Sequence, residues 1–269
     1  MNVIRAAICL LGFVSTVCTS VSAVAQRGGV SQAALAEMIT STQLGEQAKA
    51  LAAIDRLAKE DVDQTLRAAL FEALKRETLA HVARHNAGQQ GRSLPQLENP
   101  MFVGALVRSV ARLGDARSIP ILAPATAFGF EAVHALAAFG EPAAGEVLNV
   151  VEDRDAMYYA VEGGLITLRF MIEAPRAGAL SAKTMERVRR VVRDRLTRHT
   201  GNVEFVVLWA AIDLAIVLGD ADLRALVKAL ADDQQELAKR GITHAEVAKR
   251  TRQRAIDGLA GLPPKPRPL

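Results

Sequence analysis

Leu113-Gly114-Asp115-Ala116-Arg117-Ser118-Ile119-Pro120-Ile121-Leu122 is the stretch that decides the fold. It ends one apolar helical pattern, turns at glycine, and opens a second pattern within a few residues. Glycine enters the left-handed conformation that closes a helix, and an acid beside it suits the positive start of the next one. The same punctuation returns at Phe139-Gly140-Glu141 and at Leu218-Gly219-Asp220. Recurring boundaries of this kind predict stacked helical hairpins, an architecture that mainly supplies surface.

Outward from these boundaries, apolar residues recur with a period near 3.6 and no alternating strand pattern stands out. The pattern predicts helices over Ser31–Thr40, from Leu44 to Leu57, and from Asp61–Asp63 until a fade at His85-Asn86-Ala87-Gly88. Residues 88–98 read as a loop, opened by Gly88-Gln89-Gln90-Gly91-Arg92-Ser93. Asn99-Pro100 restarts the chain as a cap followed by a first-turn proline, with Phe102, Leu106, Val110 and Leu113 facing a core. Pro120 opens a short helix that Pro124 shortens or bends.

Further helices are expected over Phe130–Phe139, from Glu141 to Val151, and from an Asp155 cap to Met171. Gly163-Gly164 inside the last of these marks either a close approach or a break. After Pro175–Gly178, a basic helix runs from Ser181 to His199, and a nearly all-apolar one from Val203 to Leu218 with Trp209 in its core face. One helix is expected from Asp220 through Leu237, and Thr243 with Glu246 forms a capping-box pattern before the last. The sum is an all-α fold, an α-solenoid of about ten to twelve helices in antiparallel pairs.

Residues 1–25 read as a secretory leader. Arg5 gives the positive start, Ala6–Cys18 the apolar centre, and Ser22-Ala23-Val24-Ala25 the small residues before cleavage at Gln26. An uncleaved anchor over Ala6–Ala25 is the rival, and Ser15, Thr16, Thr19, Ser20 and Ser22 dilute it. A lipid-modified Cys18 is disfavoured by the bulk of Val17. Both cysteines, Cys9 and Cys18, fall inside this segment, so the remainder offers no disulfide and no thiolate metal ligand. Half the chain is hydrophobic but only 4% aromatic, which predicts a tightly packed core of Ala, Leu and Val. The expected organisation is leader 1–25, N-terminal helical segment 26–87, loop 88–98, repeats 99–262 and Pro-rich tail 263–269. The expected location is periplasmic or extracellular, with no transmembrane span after the leader.

The boundaries over residues 113–122 and 139–148, with Phe130-Glu131-Ala132-Val133-His134-Ala135-Leu136 between them, resemble HEAT-like repeats of the phycobilisome-lyase type. The likeness is good over residues 100–152 and fair over 203–238. Two departures stand out: Leu113 and Phe139 are closer together than the roughly 40 residues of a HEAT unit, and no such boundary occurs between Phe139 and Leu218. The resemblance implies an α-solenoid whose concave face binds something, without naming the ligand.

Two segments carry the positive excess of a chain whose net charge is +4. Residues 183–198 set seven cations against Glu186 and Asp194, and residues 239–254 set six against Glu246, a net +5 in each case. Were they neighbours, Arg187, Arg189, Arg190, Arg193, Arg198, Lys249 and Arg250 would form a candidate binding stripe, the arginines suited to phosphate or carboxylate. The alternative is a solvated face balanced by acids such as Asp232, Asp233 and Glu236. Glu77, His81 and His85 stack on one helical face, as two metal ligands and a carboxylate can, although an exposed helix end accounts for them too. No phosphate loop or nucleophile elbow stands out.

The leading expectation is therefore an exported, non-enzymatic scaffold or adaptor that binds a protein partner and carries no cofactor. Peripheral binding of an anionic envelope lipid or polysaccharide is the first alternative, and a metal-dependent enzyme at Glu77, His81 and His85 the second. Nucleic acid is disfavoured as a partner of an exported protein.

Overall fold

Every boundary glycine named above takes a positive φ, 62° at Gly114, 65° at Gly140 and 72° at Gly219. Gly219 is in the expected left-handed helical conformation, whereas a ψ of −132° takes Gly140 out of it. The acids beside them follow suit in part. Asp115 accepts a hydrogen bond from the Arg117 backbone N–H at 3.0 Å, capping a 3₁₀ turn at Ala116–Ser118. Glu141 sits in the first turn of its helix, whereas Asp220 caps nothing with its side chain and pairs with Arg189 instead.

The computed structural model describes residues 30–89 and 100–262, of which everything from Gln32 onward forms a single compact unit. The expected leader, residues 90–98 of the expected loop, and the Pro-rich tail lie outside the described residues. Among the described residues the fold is all-α, with thirteen α-helices and two short 3₁₀ turns. These are α1 Gln32–Thr40, α2 Leu44–Ile54, α3 Gln64–Gln89, α4 Pro100–Leu113, α5 Ile119–Ala125, α6 Phe130–Phe139 and α7 Glu141–Glu152. They continue as α8 Tyr158–Glu173, α9 Ala182–Thr197, α10 Phe205–Leu218, α11 Ala221–Asp232, α12 Gln234–Lys239 and α13 Ala245–Leu259. Among the described residues, no helix is long and apolar enough to cross a membrane.

The packing follows a simple rule. α2 touches α4, α4 touches α6, α6 touches α8, α8 touches α10, and α10 touches α13. Likewise α1, α3, α5, α7, α9 and α11 each touch the next of the series. Helices within a series run parallel where side chains mark the register. At the start of α7, Glu141 accepts hydrogen bonds from Ser181 and Thr184 at the start of α9, and at its end Glu152 meets Arg187 and Arg190 further along. α10 and α13 advance the same way, Trp209 reaching Thr251 and Asp213 reaching Arg254.

The core is aliphatic, as the composition predicts: Leu106, Val107, Leu122, Leu136, Leu165, Leu168, Val192, Ile212 and Leu230 are all fully buried. Trp209 is buried at 7% exposure, its Nε1–H donating to Thr251 at 2.8 Å. Gly163 and Gly164 are a close approach and not a break. A Cβ on Gly163 would stand 2.6 Å from Thr126 Cβ, and one on Gly164 would stand 2.6 Å from Val151 Cγ2. Thr126 Oγ1 shares its one proton between the Ala123 carbonyl at 2.9 Å and, through that proximity, the Ala160 carbonyl at 3.1 Å.

Four boundaries depart from expectation. α3 runs on to Gln89, through the predicted fade. α8 starts at Tyr158 with Met157 before it, because Asp155 is occupied in a turn closed by Asp153. The helix expected from Asp220 to Leu237 is two, since Asp233 takes an extended backbone and caps α12 through the Gln235 N–H. The capping box does not form: His244 precedes α13, Thr243 Oγ1 accepts from Asn202, and Glu246 pairs with Arg250. The split at Asp233 also carries the helix count past the expected ten to twelve. The interval without a Leu-Gly-acid phrase holds α7 to α10, where the α8–α9 turn is made by residues 174–181 with Gly178 at φ 95°.

Candidate functional site

Arginines that donate to carbonyls at helix ends recur through this protein, two of them, Arg195 and Arg240, buried. The last carbonyls of a helix lack intrahelical donors, and a cation there also meets the negative end of the dipole. Arg112 supplies both to α2, donating to the carbonyls of Leu57 at 2.7 Å and Ile54 at 2.9 Å. Arg252 donates to Ala231 at 2.6 Å in the last turn of α11. Arg240, only 5% exposed, reaches Leu196 in the last turn of α9 while pairing with Glu236 at 2.8 Å. Arg195 does the same for α7 through the Val151 carbonyl.

Arg195 differs from the others in what surrounds it. It lines a cavity of about 580 Å³ between the C-terminal ends of α7 and α9. Arg154, Arg190, Arg198 and His199 line the same cavity, against two carboxylates, Glu152 and Asp194. Arg195 is 6% exposed, and its Nε, like that of Arg112, finds no acceptor among the described residues. Burial first, and the charge of Arg198 second, push its pKa down to about 10, so it stays charged at neutral pH at a cost to the fold.

Its neighbours are held with unequal firmness. Arg187 grips Glu152 at 2.6 and 2.9 Å, and Arg190 adds a longer bond at 3.3 Å. Those bonds, that from Arg187 foremost, hold the Glu152 carboxyl below its ordinary value of 4.5. Arg198 meets Asp194 only at 3.7 Å, and Arg154 has no partner among the described residues. His199 is exposed, with its ring against Gly241, where a Cβ would collide with it. The loop that carries it is tied down, with the N–H groups of Thr200 and Gly201 donating to the Arg240 carbonyl at 2.8 and 2.9 Å.

The expected stripe is thereby divided. Arg187 and Arg190 serve Glu152, Arg189 pairs with Asp220 at 2.9 Å, Arg193 with Asp222 at 3.4 Å, and Arg250 with Glu246 at 2.7 Å. Lys249 and Arg250 lie on α13, Arg187 to Arg193 on α9, and α11 packs against both helices. Of the balancing acids named from sequence, Glu236 pairs with Lys239 and Arg240, Asp232 with Lys228, and Asp233 serves as a cap. Only Arg190 and Arg198 of the seven stripe residues reach the cavity. Glu77, His81 and His85 are not gathered into a ligand set: Glu77 bonds Arg76, and the rings of His81 and His85 lie against Phe128 and Tyr158. Among the described residues no group of three His, Cys, Asp or Glu side chains is placed to hold a metal ion.

The chain matches no protein-family model, no characterised protein and no solved structure.

Arg195 is one of the seven cations of residues 183–198, and a count of charges does not show its burial. The signal was present: Val188, Val191, Val192 and Leu196 form the buried face of α9, and Arg195 falls on it, four residues after Val191. An arginine on the apolar stripe of an amphipathic helix must find acceptors inside the fold. Arg154 and His199 carried no such mark, because both stand in turns that only the packing of α7 on α9 brings together.

Proposed function

We propose that this chain is an exported, non-enzymatic scaffold of HEAT-like repeats, an α-solenoid that presents its inner face to a protein partner. The observation that carries this reading is the packing rule: from α1 to α11 each helix contacts the one two places on, running parallel where side chains mark the register, and α13 closes the stack against both α10 and α11. Stacking of this kind buries one face of every added helix pair and leaves long surfaces whose shape follows from the repeat. The paired charges between α7, α9 and α11 support the same reading, since exposed pairs of this sort add little stability and are free to serve specificity.

The test places a photo-crosslinking residue at Arg193 of the full chain in its native cell. One saturable partner, competed away by unlabelled protein, together with a mature chain starting at Gln26, is the expected result. Absence of saturable capture from this position and from Leu79, or retention of residues 1–25, removes the reading. A second reading, peripheral binding of an anionic envelope component, draws on the arginine-lined cavity. It predicts binding that falls steeply with ionic strength.

A further inference from the structure

We infer that the cavity between the ends of α7 and α9 is a binding site for a phosphate monoester group. The inference deepens the second reading above and stands whether or not a protein partner exists. Four guanidinium groups face two carboxylates there, which leaves two positive charges before His199 is counted. A phosphate monoester carries between one and two negative charges near neutral pH and presents three terminal oxygens as acceptors. A carboxylate offers two oxygens and one charge, and would leave the site in excess of cation.

The donors are available in the right places. Arg154 is without a partner among the described residues, Arg198 is held only by a 3.7 Å pair to Asp194, and Arg190 spends one bond on Glu152. Arginine forks suit bidentate contact with phosphate oxygens. Arg195 forms the buried part of the wall, with a lone carbonyl as its acceptor and an Nε without any. Burying a cation so poorly supplied is costly unless an anion completes its surroundings. The other buried helix-end arginine, Arg240, shows what a self-contained arrangement looks like, for it has Glu236 at 2.8 Å.

The cavity, about 580 Å³ and half open to solvent, has room for more than a bare phosphate. A body such as a sugar or a glycerol fits beside the phosphate group. Two sources supply that chemistry, a free phosphorylated metabolite and a lipid headgroup ending in a phosphate monoester.

The experiment separates the sources. The purified chain is titrated calorimetrically with inorganic phosphate and with glucose 6-phosphate. It is also floated with phosphatidylcholine vesicles containing either phosphatidic acid or phosphatidylserine. The same is done for the double substitution R154Q/R198Q, on exposed or half-buried residues, and for R250Q as a charge control on α13. Saturable binding of the soluble probes, weakened about tenfold or more in R154Q/R198Q and unchanged in R250Q, supports the site with a free ligand. Binding to phosphatidic acid vesicles alone, with the same dependence on Arg154 and Arg198, supports it with a lipid source. The inference is overturned if no probe binds, if phosphatidylserine serves as well as phosphatidic acid, or if R250Q loses as much as the double substitution.

Discussion

Gly163→Ala and Gly145→Ala make the same chemical change in two helices and should move stability in opposite directions. Both residues lie inside helices, where glycine costs up to about 1 kcal/mol relative to alanine. At Gly145 a Cβ would meet nothing within 4 Å, so the propensity gain is kept and G145A should be more stable by about 0.5–1 kcal/mol. At Gly163 the Cβ would fall 2.6 Å from Thr126 Cβ and 2.8 Å from the Thr126 carbonyl oxygen. A backbone oxygen cannot swing aside, so α8 and the turn at Thr126 must part. Overpacking of this sort costs about 1–3 kcal/mol. Separation also stretches the 3.1 Å contact from Thr126 to Ala160, which costs less than about 1 kcal/mol because the hydroxyl keeps its 2.9 Å bond to Ala123. After the propensity gain, G163A should be destabilised by about 1–3 kcal/mol. In a chain of this length each kcal/mol moves the melting temperature by about 2–4 °C. Thermal denaturation followed by circular dichroism should place G163A below the parent and G145A slightly above it. If G163A melts at or above the parent temperature, the close approach of α8 to Thr126 is wrong.

Three further outcomes follow from the contacts of Arg112, Arg187 and Gly241. Arg112→Met removes the side-chain donors to the Ile54 and Leu57 carbonyls at and just past the end of α2, which should cost about 1–2 kcal/mol and speed amide exchange in α2. The Glu152 carboxyl, held low chiefly by Arg187, should titrate below 4.5 by NMR and return toward that value in Arg187→Met. Because its pKa is lower folded than unfolded, its contribution is present above about pH 4.5 and fades as the pH falls through the folded value, so acid unfolding of Arg187→Met should depend less on pH in that window. Gly241→Ala, at φ 76° and against the His199 ring, should displace His199 and shift its ring resonances while α1 and α2 keep their exchange protection.

What the sequence made legible was local. Gly114, Gly140 and Gly219 announced their turns because a positive φ is a property glycine carries into any context, and the apolar period announced the helices between them. The α8–α9 turn was hidden because residues 174–181 reach the same end with Gly178 and without the leucine-glycine-acid phrase. Asp233 broke a run that propensity alone would continue, by turning its side chain to the next N–H. The candidate site was half visible. Charge density marked α9, and nothing short of packing could say that Arg187 and Arg189 would be spent on Glu152 and Asp220 while Arg154 and Arg198 stayed available. Arg195 was the exception, an arginine on a valine face whose burial could have been read from its position.

The parallel, two-places-on stacking is the central claim, and crosslinking along α7 and α9 tests it most directly. Outside residues 1–25 the chain has no cysteine, so paired substitutions report cleanly. Glu141→Cys with Thr184→Cys replaces two side chains in contact at 2.6 Å. Glu152→Cys with Thr184→Cys moves one partner eleven residues along α7, about 16 Å away. A short bis-maleimide should join the first pair and leave the second unlinked. Efficient linkage of the second pair and none of the first would mean that α9 runs the other way against α7, and the account of the fold would fail with it.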